Sequence, residues 1–295
     1  MKDPCGAPAG LPKPAQPGPR YWRDLWKRKK LARVAAPGLT SAEAYWSDRK
    51  NVADLYVKSR SRKDWQGTVD AQFRAMDIPY HARVLDIGAG TGTHAITLAL
   101  AGCDVTAVEP SPAMREVLEK NFASSGIDAV TVIPSRWEDV LIDQLGNPYD
   151  IVLASYSLAM TDIGAAVEKM QACCRGSVHL FWFLTPPPWE QVSLDLWPRL
   201  HGCGYSTEPL ANCLWQALNE MGIYAGITTE RRKATTFRTI EEAVREYSRR
   251  LNCPAEEQQE ILRDYFTRQL LHAEEGFVFG TPSYSAHIRW KIGPG

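Results

Sequence analysis

Between Arg83 and Leu184 the sequence repeatedly changes period. Apolar runs of about five residues alternate with stretches whose apolar residues recur at helical spacing. The runs read RVLDI, DVTAVE, VTVI, YDIVLAS and SVHLFWFL. Between them, Thr93–Ala101, Pro112–Ala123, Trp137–Leu145 and Ile163–Cys174 read as helices. A strand that is apolar along its whole length needs cover on both faces. Helices inserted between successive strands supply that cover when the strands are parallel. Caps support the boundaries: Ser111 before Pro112 suits an N-cap and first helical position, Ser135 and Glu138 have capping-box spacing, and Gly102 and Gly176 stand where helices should end.

The flanks have a different texture. Ser41–Lys58 and Arg62–Met76 look helical, with Trp65, Val69, Phe73 and Met76 on one face. After residue 185, TPPPWE breaks the chain. A helix follows over Leu210–Met221, then a strand-like YAGITTERRKATTF. Thr239 and Glu242 open a further helix through Leu251, another spans Pro254–His272, and SAHIRWKI reads as a last strand. The expected fold is α/β and Rossmann-like. It is a seven-stranded, mostly parallel sheet with an antiparallel last strand, helices on both faces and added N-terminal helices.

Composition narrows the function. Of 295 residues, 34 are Lys or Arg and 34 are Asp or Glu, so the formal net charge is zero, which argues against a surface given over to nucleic acid. One local exception, RYWRDLWKRKKLAR over residues 20–33, holds seven basic residues and one acid around Trp22, Leu25 and Trp26. It reads either as an arm for RNA or an anionic membrane, or as a helix that pins its tryptophans to the domain; the second reading is preferred. Seven cysteines without a C-x-x-C pair give neither a zinc site nor a disulfide framework, and reduced thiols suggest a cytoplasmic setting. No metal is expected, and no apolar stretch approaches the length of a membrane span.

The chemistry centres on VLDIGAGTGTHAITLAL, Val84–Leu100. A strand, a glycine loop and a helix together can present bare backbone to a ligand. The dinucleotide fingerprint would place a third glycine at position 93, which is Thr93, and the phosphate-binding lysine of a Walker loop is missing. Asp86 closes the first strand. Glu109 ends the second, where a carboxylate can accept both hydroxyls of a ribose. Together these point to an adenosine ligand that is not a diphosphate.

VLDIGAGTGTHAITLA together with VTAVEPSPAMREVL resembles the first two motifs of the class I S-adenosylmethionine (SAM)-dependent methyltransferases, with small-molecule-type members the nearest in kind. The resemblance implies that SAM lies along Gly88, Ala89, Gly90, Thr91 and Gly92. Asp86 would then be near its methionyl ammonium, Glu109 on its ribose and Pro110 beside its adenine. In the third motif, IPSRWEDV, Arg136 stands where Asp is common and Trp137 where Ala is usual. That leaves adenine recognition to Glu138 or the backbone, with Trp137 against the ring. In YDIVLASYSL, Ala154, Ser155 and Tyr156 would border the methyl end.

The implied organisation is a disordered arm at 1–20, an N-terminal helical region at 21–80, and a SAM-binding methyltransferase domain at 81–295 with helical insertions near 186–222 and 239–275. Tyr156 is the best-placed candidate for a general base, and His201 a second; His179 reads as structural and Glu190 as a loop acid. Trp182 and Trp189 are singled out from the ten tryptophans as candidate walls of an aromatic acceptor pocket. The expected partner is a small-molecule acceptor, without nucleic acid or membrane; oligomeric state is left open. The alternatives are an RNA or protein methyltransferase, a non-catalytic SAM-binding module, and a nicotinamide-dependent reductase.

Overall fold

The computed structural model describes residues 18–35, 42–52, 63–128, 130–232, 234–274 and 276–293. Most of the expected arm at 1–20 and part of the expected helix over Ser41–Lys58 lie outside them. The first helices are α1 (Tyr21–Ala35), α2 (Ala42–Ser47) and α3 (Lys63–Ala75). The alternating region follows: β1 (Arg83–Ile87), α4 (Thr93–Leu100), β2 (Asp104–Val108), α5 (Pro112–Ser124), β3 (Thr131–Ile133), β4 (Tyr149–Ser155), α6 (Ile163–Ala172) and β5 (Cys174–Phe183). Then come α7 (Pro188–His201), α8 (Ala211–Glu220), β6 (Gly226–Arg231), β7 (Thr236–Phe237), α9 (Ile240–Arg250), α10 (Glu256–Gln269), β8 (Leu270–Ala273), β9 (Gly276–Phe279) and β10 (Tyr284–Lys291).

Seven strands form one sheet in the order β3-β2-β1-β4-β5-β10-β6. The first five are parallel, and β10 runs antiparallel between β5 and β6. β1 sits between β2 (Asp86 opposite Ala107) and β4 (Asp86 opposite Leu153). The chain therefore leaves β1 toward one edge and later returns to its other side. A crevice opens at the carboxyl ends of strands where that reversal occurs. Because β10 is antiparallel to both neighbours, β6 points the same way as β5, and its end at Arg231 reaches the same rim.

Several expected boundaries move. Trp137–Leu145 forms two short 3-10 turns, Trp137–Asp139 and Ile142–Leu145, rather than one helix. Trp137, Val140 and Leu145 are buried while Leu141 and Ile142 are exposed, a spacing no single helical stripe satisfies. The Ser135 hydroxyl meets the Arg136 carbonyl instead of forming a capping box. Gly176 lies inside β5, not at a helix end. The pairing of β4 with β5 shifts between Tyr149 and Ile151, and a side chain on Gly176 would sit 2.1 Å from the Asp150 carbonyl oxygen. The end of the expected Pro254–His272 helix becomes β8.

The basic segment is a docked helix. Trp26 is fully buried and its indole N–H donates to the Met160 carbonyl at 2.8 Å. The Glu220 carboxylate accepts the backbone N–H groups of Trp22 and Arg23, capping the helix start. Lys30 pairs with Glu208 at 2.6 Å, and Arg33 with Glu208 at 2.8 Å. Glu190 is buried here too, accepting the Glu208 N–H, so it is not an exposed loop acid.

A second core was not evident from the sequence. β7, β9 and β8 form a small antiparallel sheet, covered by α7, α9 and α10 around Trp197, Phe237, Tyr247 and Phe266.

Candidate functional site

Three glycines cross the end of β1, all with positive φ: 72° at Gly88, 58° at Gly90 and 89° at Gly92. Their reasons differ. A side chain on Gly88 would strike the Ser157 Cβ at 2.3 Å, and one on Gly92 would strike Leu118 Cδ1 at 2.3 Å. Those two let neighbouring elements close in. A side chain on Gly90 would meet no described atom within 4 Å, so that side of its backbone faces open space. The Gly88 and Ala89 N–H groups both donate to the Val108 carbonyl, which fixes the loop on β2. Thr91 is buried and its carbonyl accepts the Asn121 amide at 2.9 Å.

Two buried carboxyl groups flank this opening. One Glu109 oxygen accepts the Gly90 N–H at 2.8 Å and the other the Ser111 N–H at 2.8 Å. Burial raises the Glu109 carboxyl above its ordinary range, and these backbone bonds pull it back. Arg115 donates to the carbonyls of Glu109 and Pro110, holding that turn. Asp86 is 2 % exposed, and its Oδ2 has no hydrogen-bond partner among the described residues. Burial, then the charge of Glu109, pushes its carboxyl up to about 7. An unpaired buried carboxylate is costly unless a cation or donor meets it. Ser155 Oγ, at the end of β4, is likewise buried without a partner among the described residues.

Ala154 is fully buried in the sheet and can offer only backbone. Tyr156 has φ 54°, and its N–H donates to the Phe181 carbonyl. Its ring lies 5.0 Å from Phe183 and under the Arg232 guanidinium at 4.9 Å. Its hydroxyl has no hydrogen-bond partner among the described residues.

Other candidates are placed elsewhere. Trp137 is a core residue: 3 % exposed, its indole N–H donates to the Ala166 carbonyl, and Lys169 lies over its ring. It is engaged on α6 and is not presented to a ligand. Arg136 pairs with Asp139 at the surface, and Glu138 is exposed, its carbonyl taking the Lys169 ammonium. His201 ends α7, bonds the Leu251 carbonyl at 2.8 Å and stacks on Trp197, so it belongs to the second core. Trp182 is buried, its indole donating to the Pro209 carbonyl. Trp189 meets Phe183 edge-on at 5.1 Å and joins the aromatic group at the rim.

Sequence reasoning passed over Tyr45, Arg232 and Arg250. Arg232 directly follows β6, whose end lies on the ligand rim of the sheet; that rule of position could have found it.

Residues 84–176 match the family described as "Methyltransferase domain". A protein of Haemophilus influenzae is 34 % identical over 107 residues, 36 % of this chain and 39 % of its own length. The dTDP-4-amino-2,3,4,6-tetradeoxy-D-glucose N,N-dimethyltransferase of Saccharopolyspora spinosa is 24 % identical over 147 residues, 48 % of this chain and 55 % of its own. The chain thus spans about two fifths to about half of these relatives' lengths. A solved structure from Bacillus halodurans, a proposed methyltransferase, has the same fold: TM-score 0.54, 12 % identity, covering 77 % of this chain and 99 % of that one.

Proposed function

We propose, for a chain whose residues 84–176 match the methyltransferase-domain family, that it transfers a methyl group from SAM to a small-molecule acceptor. The observation that carries this reading is the opening at Gly90, bordered by two buried carboxyl groups, with Asp86 Oδ2 and Ser155 Oγ lacking partners among the described residues. That donor set fits a cationic amino acid joined to a ribose. Asp86 would meet the ammonium, Glu109 the sugar hydroxyls, and Gly90 would let the ligand lie against bare backbone. When bound, SAM supplies a methyl group already activated by its sulfonium.

The residues then have little covalent work. They orient the acceptor in line and keep water out. Glu109 keeps the loop in place through Gly90. Tyr156, just after β4 and with a hydroxyl that has no hydrogen-bond partner among the described residues, would take a hydrogen bond from an acceptor. For an acceptor that must lose a proton, it would relay it by passing its own hydroxyl proton to solvent as it takes the acceptor's. Two features support a small acceptor. The sugar N,N-dimethyltransferase is a relative with such a substrate. Lys30 and Arg33 of the basic segment are committed to ion pairs inside the fold, which weakens the case for an RNA-binding arm.

The test is calorimetry with S-adenosylhomocysteine and, in parallel, NADH. Incubation with SAM and a metabolite extract follows, read by mass spectrometry as one-methyl mass gains. Binding of S-adenosylhomocysteine without any methylated product would favour the non-catalytic module; binding of NADH alone would favour the reductase.

A further inference from the structure

Around the proposed donor site runs an arc of aromatic rings. Tyr156 lies 5.0 Å from Phe183, and Phe183 meets Trp189 at 5.1 Å. Across the Arg250 guanidinium, 5.3 Å from each ring, Trp189 is followed by Tyr45, and Tyr45 meets Trp46 at 4.8 Å. Both ends of the arc are fixed to the donor site. Tyr156 precedes Ser157, the residue that packs on Gly88. The Trp46 carbonyl accepts the Ser111 hydroxyl at 2.7 Å, and the Ser111 N–H is held by Glu109.

Two cations sit on this arc. Arg232 lies 4.9 Å from the Tyr156 ring and 4.8 Å from the Phe183 ring. Arg250 bridges Tyr45 and Trp189, and its Nε is buried without a hydrogen-bond partner among the described residues. Neither meets a carboxylate among the described residues. Several other arginines are paired, Arg33 with Glu208, Arg83 with Asp104, Arg175 with Asp150 and Arg263 with Glu241. Ring faces hold a guanidinium in place but leave its in-plane N–H fork free, and that fork matches an oxyanion.

We infer that the acceptor, on the function proposed above, is a flat small molecule carrying an oxyanion, a carboxylate or a phosphate, that Arg232 and Arg250 receive while the ring arc holds its planar body. The Tyr156 end of the arc is the methyl end, where Arg232 meets a charged group close to the reacting atom, while Arg250, between Trp189 and Tyr45, meets one farther along the arc. An uncharged analogue of the same shape leaves both forks unpaired and binds more weakly.

The test uses the full chain saturated with S-adenosylhomocysteine. It is titrated calorimetrically with 4-hydroxybenzoate, 4-hydroxyphenyl phosphate and the neutral methyl 4-hydroxybenzoate. At least one anion binds about tenfold or more tightly than the ester, and the tighter anion separates carboxylate from phosphate. In the R232Q/R250Q variant the preference shrinks to about threefold or less, while R232K/R250K retains part of it. The wild-type comparison stands alone should the variants fold poorly. An ester that binds as well as both anions overturns the inference. So does a preference that survives both glutamines, or no binding of either anion at millimolar concentration. Failure to bind S-adenosylhomocysteine overturns the proposed function instead.

Discussion

The Glu109 carboxylate accepts the Gly90 N–H at 2.8 Å, tying the open point of the glycine loop to the end of the neighbouring strand. Its second oxygen holds Ser111. Losing the carboxylate strands two backbone donors and removes the proposed sugar ligand. E109A is therefore expected to lower S-adenosylhomocysteine affinity about tenfold or more and stability by about 2 kcal/mol. Calorimetry and urea unfolding read the two effects separately.

The loop glycines divide by function. G88A and G92A meet Ser157 and Leu118 at 2.3 Å as well as an unfavourable φ, and should cost about 2–4 kcal/mol of stability. G90A pays only the backbone cost of about 1 kcal/mol, but its methyl enters the ligand space, so binding falls while the fold survives. Melting temperatures set against ligand affinity for the three variants give this pattern or exclude it.

Binding should move protons. With its carboxyl raised to about 7, Asp86 is partly protonated at neutral pH. A cationic ligand favours the ionised form, so SAM affinity rises as pH climbs toward about 7, and binding below that releases a proton. Calorimetry in buffers of different ionisation enthalpy measures the release, and D86N abolishes it. The same shift makes Asp86 lower fold stability as pH rises from about 4 to about 7, because the folded chain there holds a proton the unfolded chain has lost.

Three histidines, His179 and His287 buried and His94 half-buried, act the other way. Burial lowers His94 to about 4 and His287 to about 4, and burial with neighbouring His287 and Arg289 lowers His179 to about 3. His179 and His287 share a contact of 2.9 Å. Neutral when folded, they stabilise the chain above about pH 6.5, and that contribution is lost as pH falls toward 4. The melting temperature should drop over this interval, and drop less in H287Q.

Trp137 gives a control. W137F should cost about 1–3 kcal/mol through the lost indole bond and packing, with S-adenosylhomocysteine affinity unchanged. A parallel loss of affinity would return Trp137 to the site.

What could be read from the sequence was whatever one strand and its neighbour determine. The alternating runs fix the parallel sheet, and Glu109 declares itself because the end of β2 is a fixed distance from the loop. The small sheet escaped because β7 has two residues and β8 and β9 four each, too short for a period-two pattern, while Leu270–Ala273 continues the texture of α10. His201 looked available because its segment is irregular in sequence; in space α7 packs it against Leu251. Arg232 and Arg250 were invisible as a pair. Nothing local brings Tyr45, Phe183, Trp189 and Arg250 together, and only the way the inserted helices fold back over the sheet does so.

Residues 84–176 build the cradle at Gly90, whereas Tyr45, Phe183, Trp189, Arg232 and Arg250 all fall outside that span. On the proposed function, the two parts can diverge at different rates: the shared segment would keep the methyl donor while the flanks set what receives the methyl, so swapping those flanks between relatives would be the natural route to redirecting the reaction.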